Sequence, residues 1–218
     1  PNRPDAVGVR GIARDLAARG VGELINRDIV PQIDEKFTSN LEVSIDSDTL
    51  EGCPLLVGRE IKGVKNGPSP DWLQAALRAI GLRPISLLVD ITNYYTYDRN
   101  RPLHVFDMDK VSGNLRIHKA EGGETITALD DKEYVLQKDM MIISDDNGVE
   151  SIAGIMGGLD TGCDESTINV FVESAYWDPT KIAITGRKLK INSDARYRFE
   201  RGVDPLFTIN GCDHAVTL

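Results

Sequence analysis

The spacing of apolar residues predicts helices at both ends of the chain and strands between them. Apolar positions recur at helical spacing in three early segments, 9–16, 73–80 and 87–95. Between 115 and 173 they instead alternate or form short unbroken runs, which are typical of strands. Asp178 followed by Pro179 predicts the start of another helix, which reaches about Leu189. This order of elements indicates an α+β fold rather than alternating βαβ units.

Turn signals separate the predicted strands. Asn147-Gly148 favours a tight hairpin turn after the apolar run 140–144. The next strand is predicted over 151–156, where it ends in glycines, and 168–173 is predicted as another buried strand. Strands joined by such short turns are expected to pair in antiparallel fashion.

The first 52 residues are patterned more weakly than the rest. We predict a helix within 1–20 and a connector over 21–52 that contains one alternating strand, 41–45. We interpret 1–52 as the remnant of an upstream domain and a connector, and 53–218 as the main domain. Because the chain begins at Pro1 and stops inside a predicted helix, we expect it to be a segment of a longer protein.

Composition limits the class of protein. The formal net charge of −9 argues against a broad basic surface that coats nucleic acid, although it allows a local contact with one end of a nucleic acid. Seven bases against two acids are concentrated in 181–201, which is either a solvated face or such a local contact. Cys53, Cys163 and Cys212 lack the spacing of metal ligands and are interpreted as free thiols. With no membrane-spanning run and no signal peptide, we expect a cytoplasmic location and no membrane partner.

Two interpretations remain open for the segment 87–107, in which a helix is followed by a histidine among apolar residues. In the first, the helix is simply buried and a backbone carbonyl satisfies His104. In the second, Thr92 and Asn93 on the helix converge with His104 on one pocket.

Glu173 stands at the end of an apolar run, where a carboxylate must be paired, hydrogen-bonded or directed into a cavity. It is either the partner of an arginine in 187–201 or an acceptor for a ligand. The glycines of 153–158 similarly indicate either a close backbone approach or simple punctuation between elements.

Motifs of other chemistries are missing from the sequence. There is no P-loop, nucleophile elbow or Rossmann fingerprint. His104, Asp107 and Asp109 can be drawn as a metal site, but a hard cation requires more oxygen ligands and zinc requires nitrogen or sulfur partners. We therefore predict no metal and no cofactor in this segment.

Five motifs in order carry a resemblance to a known family: VDITNYY, RPLHVFDMD, AGIMGG, VFVESAYWDP and NSDARYRFERGVDP. Together they closely resemble the B3/B4 module of the bacterial phenylalanyl-tRNA synthetase beta subunit. PNRPD and GIARDLAA resemble the stretch just upstream in that subunit. The resemblance implies layered mixed or antiparallel sheets with helices packed on one side, in a three-layer domain.

The resemblance also implies a reaction, the hydrolysis of tyrosine wrongly esterified to tRNA(Phe). Glu173 would accept a hydrogen bond from the phenol hydroxyl, helped by the backbone N–H of Ala195, with Ser193 beside the ring. Many relatives carry threonine where this chain has Ser193. The rival interpretation is a non-catalytic module that positions tRNA or holds the synthetase together.

The remaining site residues follow from the same motifs. Thr92, Asn93 and His104 would line the part of the pocket that holds the terminal adenosine and the hydrolytic water. Gly154 and Gly157 would form a wall that the substrate backbone approaches. The implied partners are the 3′ end of tRNA(Phe), the synthetase alpha subunit, the other beta-subunit domains and tyrosine. ATP and magnesium are expected only for the full synthetase, because no ligase active site is recognisable in this segment.

Overall fold

A computed structural model describes residues 3–25 and 37–218; part of the predicted connector over 21–52, residues 26–36, lies outside the described residues. A short 3-10 turn, Pro4–Val7, precedes the first helix. The helices of the described ranges are α1 (Val9–Ala18), α2 (Asp71–Ala79), α3 (Leu87–Arg99), α4 (Pro179–Leu189), α5 (Asp194–Phe199) and α6 (Phe207–Thr217). The strands are β1 (Val43–Ile45), β2 (Leu55–Lys62), β3 (His104–Asp107), β4 (Leu115–Lys119), β5 (Thr125–Thr127), β6 (Glu133–Val135), β7 (Met141–Ser144), β8 (Val149–Ile152), β9 (Met156–Gly157) and β10 (Asn169–Tyr176).

The strands of the described ranges form three sheets. The largest has the order β1-β4-β7-β8-β9, in which β1 pairs in parallel with β4 and the other neighbours are antiparallel. A second, antiparallel sheet has β10 in the centre between β2 and β3, and β5 pairs with β6. The predicted α+β class with mixed and antiparallel sheets is confirmed.

The central strand β10 separates two cores. Its residues Phe171 and Ala175 belong to the main core, together with Ile117 and Ile142 of the five-stranded sheet. Val170 and Val172 point to the opposite face because successive side chains of a strand alternate. There they pack with Leu88 of α3 and Cys212 of α6. Helices α3 and α6 therefore cover one face of the three-stranded sheet, and the five-stranded sheet lies on the other. The helices are not all packed on one side as expected, because Ile182 of α4 and Phe199 of α5 belong to the main core.

The β8–β9 connection differs from the predicted strand over 151–156. β8 ends at Ile152, and β9 begins only at Met156. Between them Gly154 takes a φ of +67°, in the left-handed region that interrupts a strand and favours glycine. The chain therefore folds back at this point, which brings Gly154 and Gly157 to the edge of the main core.

The part of the chain before residue 53 contributes to two different places. β1 extends the five-stranded sheet, so the sheet reaches across the predicted boundary at 52/53. α1 instead leaves its apolar residues Val9, Ile12 and Leu16 about half exposed. Within the described ranges, no helix has the length and apolarity required to cross a membrane.

Candidate functional site

A cavity of about 330 Å³ lies where α3, the start of β3, the β8–β9 turn and α5 meet. Seven of the eight predicted site residues line it: Thr92, Asn93, His104, Gly154, Gly157, Glu173 and Ala195. Ser193 does not line the cavity. Most of the remaining wall is apolar, with Leu88, Val105, Ile155 and Phe199 among its residues.

The α3 wall is held in place by a buried polar contact at the start of the helix. Asp90 is fully buried; its carboxylate accepts hydrogen bonds from the Ser69 hydroxyl at 2.6 Å and the Ile85 N–H at 2.9 Å. Thr92 uses its own hydroxyl within the helix, where it donates to the Val89 carbonyl at 2.8 Å. Asn93 faces the cavity one residue later.

Glu173 and His104 lie directly opposite each other on β10 and β3. Side chains at such paired positions share one face of the sheet, with Cβ atoms about 5 Å apart. Both line the cavity. The β3 partner of β10 begins at this pair, so β10 has no β3 neighbour beyond Glu173. The pair therefore marks the place where the sheet opens into the cavity.

The Glu173 side chain is 6% exposed and has no hydrogen-bond or ion-pair partner among the described residues. Burial raises the pKa of this carboxyl to about 7. None of the arginines predicted as alternative partners pairs with Glu173: Arg196 and Arg201 pair with Glu200, Arg198 pairs with Asp194, and the exposed Arg187 makes no ion pair with a described residue. A buried acceptor without a donor faces the cavity.

His104 is held as a neutral ring. Burial lowers the pKa of its imidazole to about 4. The ring packs edge-on against Phe106, with 4.4 Å between centroids, and its Nε2 has no partner in the described part of the chain. The interpretation in which a carbonyl satisfies this nitrogen therefore does not hold here.

The two glycines of the wall make room for neighbouring rings. A Cβ on Gly157 would overlap His104 Cε1 and lie 2.8 Å from His104 Nε2. A Cβ on Gly154 would lie 2.7 Å from Trp177 Cδ1, besides requiring a positive φ. The sequence indicated that another group comes close to these glycines. In the structure, the groups that do so are the rings of His104 and Trp177.

Ser193 has a supporting position behind the wall. Its hydroxyl oxygen caps α5 by accepting the Arg196 N–H at 3.0 Å, and its hydrogen is donated to the Ile155 carbonyl at 2.6 Å. Ala195 is the second residue of this helix, so its N–H belongs to the first turn, where such groups have no intrahelical acceptor. Ser193 therefore fixes both Ala195 and the wall residue Ile155.

Two residues of the site could not be assigned from the sequence. Arg198 is 3% exposed and donates to the Thr96 carbonyl of α3 at 2.8 Å and to Asp194 of α5 at 2.9 Å, so it ties two walls of the cavity together. Trp177 lines the cavity and is 1% exposed, and its Nε1 has no partner within the described ranges. The position of Trp177 directly after β10 is the signal that could have indicated it.

The B3/4 domain family matches residues 52–218. The chain belongs to this family. This B3/4 chain is 67% identical over 218 residues to the phenylalanine–tRNA ligase beta subunit of Ruegeria pomeroyi and 63% identical over 219 residues to that of Cereibacter sphaeroides. In each case all of this chain is covered but only 27% of the relative, so the chain spans about a quarter of their length.

A solved structure is also similar to the B3/4 chain. It is an N-terminal fragment of the phenylalanyl-tRNA synthetase beta subunit of Pyrococcus horikoshii, 18% identical, with a TM-score of 0.49, covering 92% of this chain and 58% of that one. The family resemblance drawn from the five motifs is confirmed by the B3/4 match and the two relatives.

Proposed function

We propose that this chain is the editing module of a phenylalanyl-tRNA synthetase beta subunit and hydrolyses Tyr-tRNA(Phe). The observation that carries the proposal is Glu173, a buried carboxyl in an apolar cavity with no donor among the described residues. A phenol hydroxyl supplies that donor. A phenyl ring does not, and it leaves the buried acceptor unsatisfied at a cost of about 1–3 kcal/mol.

A site that requires a hydroxyl provides the discrimination between tyrosine and phenylalanine that the synthetase needs. An apolar pocket rejects a substrate with one additional hydroxyl only about a hundredfold. A second site that demands the hydroxyl selects the wrong product and spares the correct one. Glu173 is the only carboxyl on the cavity wall formed by the described residues, so this one group is the acceptor for the substrate hydroxyl.

The chemistry needs little besides position. An aminoacyl ester is already activated, so a held water and a stabilised oxyanion suffice for hydrolysis. His104 lines the cavity with a neutral ring and holds the water, with Thr92 and Asn93 beside the terminal adenosine. The N–H of Ala195 completes the phenol contact. Gly154 and Gly157 leave room for the rings of Trp177 and His104 and form the wall that the substrate backbone approaches.

The proposal places the chain in a larger cytoplasmic protein. Its partners there are the 3′ end of tRNA(Phe), the alpha subunit and the other beta-subunit domains. ATP and magnesium serve the ligase site of the full synthetase, outside this chain. The curated relatives are four times as long, which leaves room for those domains.

Deacylation of Tyr-tRNA(Phe) by the intact synthetase tests the proposal. We expect Glu173→Ala to lose this hydrolysis while aminoacylation with phenylalanine is retained. If the unaltered synthetase does not hydrolyse Tyr-tRNA(Phe), or if hydrolysis by the variant is unchanged, the module is structural. A crystal structure of the synthetase soaked with a nonhydrolysable tyrosyl-adenosine analogue provides an independent readout. It measures the distance from the phenol oxygen to the Glu173 carboxyl.

A further inference from the structure

The basic segment noted in the sequence divides into two groups in the structure. The three arginines of α5 and the residues after it, Arg196, Arg198 and Arg201, pair with acids. The four bases on α4 and at its end make no ion pair with any described residue: Lys181, Arg187, Lys188 and Lys190. Within this basic segment, the charge without an ion-pair partner is thus concentrated on α4 and its end.

Two of these lysines, both on α4, line a second cleft of about 340 Å³. Lys181 and Lys188 lie seven residues apart on α4, about 10 Å along its axis. Lys119 at the end of β4 and Lys138 before β7 line the cleft from the other side. We call these four residues the lysine cleft.

The lysine cleft has an excess of positive charge. Lys119 is paired with Asp48 at 3.0 Å. The other three ammonium groups have no carboxylate partner in the described part of the chain, and Asp139 is the only acid on the lining. On a chain with a net charge of −9, this clustering of like charges gives no benefit to folding. An anion in the cleft would offset the repulsion.

The position of the cleft relates it to the candidate site. Ile182, about 100° around α4 from Lys181, would be 2.8 Å from a Cβ on Gly154 of the cavity wall. The helix that carries two residues of the cleft therefore packs directly behind the cavity wall. One extended ligand can reach both.

We propose that the lysine cleft binds the phosphate backbone of the same RNA whose end enters the cavity. This inference rests on the proposed function. Lysines bind phosphate as point charges, and the lining contains no aromatic side chain on which a base could stack. The contact is therefore independent of sequence and positions the RNA, while the cavity selects the amino acid. A concave cleft with one exposed apolar residue, Ile184, fits a strand better than a membrane surface.

The test compares two double variants of the intact synthetase. Lys181→Gln with Lys188→Gln removes two charges from the cleft. Arg187→Gln with Lys190→Gln removes two charges from exposed positions of the same helix outside it. We expect the cleft variant to raise KM for deacylation of Tyr-tRNA(Phe) about tenfold at near-physiological salt, with kcat changed less than twofold. Its salt slope should fall by about 1.5 to 2, since each lost phosphate contact removes close to one. The control should change KM less than twofold.

Direct binding of uncharged tRNA, measured by fluorescence anisotropy, separates this inference from the proposed function. If deacylation is absent from the unaltered synthetase but the cleft variant still weakens tRNA binding, only the editing proposal fails. Equal effects of the two double variants on binding would overturn the cleft. Complete displacement of tRNA by millimolar inorganic phosphate would also overturn it, because it marks a site for a small anion. Binding to anionic lipid vesicles that depends on these lysines, with no effect of the variant on tRNA binding, would overturn it as well.

Discussion

Replacing Glu173 by glutamine separates the cost of this residue to the fold from its use in recognition. Glutamine keeps the shape of the side chain and removes the ionisable group. Because Glu173 is buried without a partner among the described residues, its charge opposes folding. The raised pKa, from an ordinary value of 4.5 to about 7, corresponds to about 3 kcal/mol.

The sign of the pH dependence follows from the two states. Above pH 4.5 the unfolded chain ionises Glu173, whereas the folded chain does so only above about pH 7. The free energy of unfolding therefore falls as pH rises through this window and stays reduced above it. Glutamine does not titrate, so Glu173→Gln should match the wild type near pH 4 and exceed it at pH 8 by up to about 3 kcal/mol.

The same substitution should weaken editing. A hydrogen bond to a charged group contributes about 1.5–3 kcal/mol, so kcat/KM for Tyr-tRNA(Phe) should fall about 10- to 150-fold. Hydrogen exchange of the β10 amides, corrected for the intrinsic effect of pH, measures stability, and single-turnover deacylation measures editing. The two readouts are expected to move in opposite directions.

Glu150 offers a matched control. It is also buried, and burial raises its pKa to about 7, but it does not line the cavity. Glu150→Gln should stabilise the fold at pH 8 without loss of deacylation. A Glu173→Gln variant that is less stable than wild type at pH 8, or that hydrolyses Tyr-tRNA(Phe) at the normal rate, would refute the reasoning.

Three further predictions concern the same walls. Gly157→Ala should displace the His104 ring, since the added Cβ overlaps Cε1, and should reduce deacylation at least tenfold; an unchanged single-turnover rate would contradict this. His104→Ala should slow hydrolysis without abolishing binding, and because the imidazole pKa is about 4 whereas that of Glu173 is about 7, an inflection of the pH–rate profile near pH 7 should persist in this variant; a normal rate in the variant would make His104 structural. Ser193→Ala should destabilise the protein by about 1 kcal/mol through the lost helix cap, whereas Ser193→Thr should keep both hydroxyl bonds; equal denaturation midpoints for the two would refute the capping role.

Local chemistry made much of the fold predictable. Asp178 caps a helix as the sequence indicated, and Asn147-Gly148 joins two antiparallel strands. These signals work because each depends on residues within one turn of the chain. The β8–β9 break was missed because the glycine pattern does not show which glycine takes the left-handed conformation.

Contacts between distant segments were less accessible. The parallel pairing of β1 with β4 joins residues about 70 positions apart, and no pattern in either strand specifies it. Ser193 was expected beside the ligand ring, but it supports the wall from behind through Ile155. Arg198 links α3 to α5, but in the sequence it is one of seven bases in 181–201, and the pattern does not distinguish it from the others. Motifs identified residues that meet, without showing which of them face the cavity.

The pairing of β10 on both sides constrains how this module can diversify. Glu173 is locked between Gly58 and His104 in neighbouring strands. Because side chains alternate, inserting or deleting one residue in β10 would turn Val172 or Ser174 inward and carry the carboxyl to the helical face. New amino-acid preferences should therefore arise by exchange of side chains at a constant strand length, and length changes among homologues should gather in the loops instead.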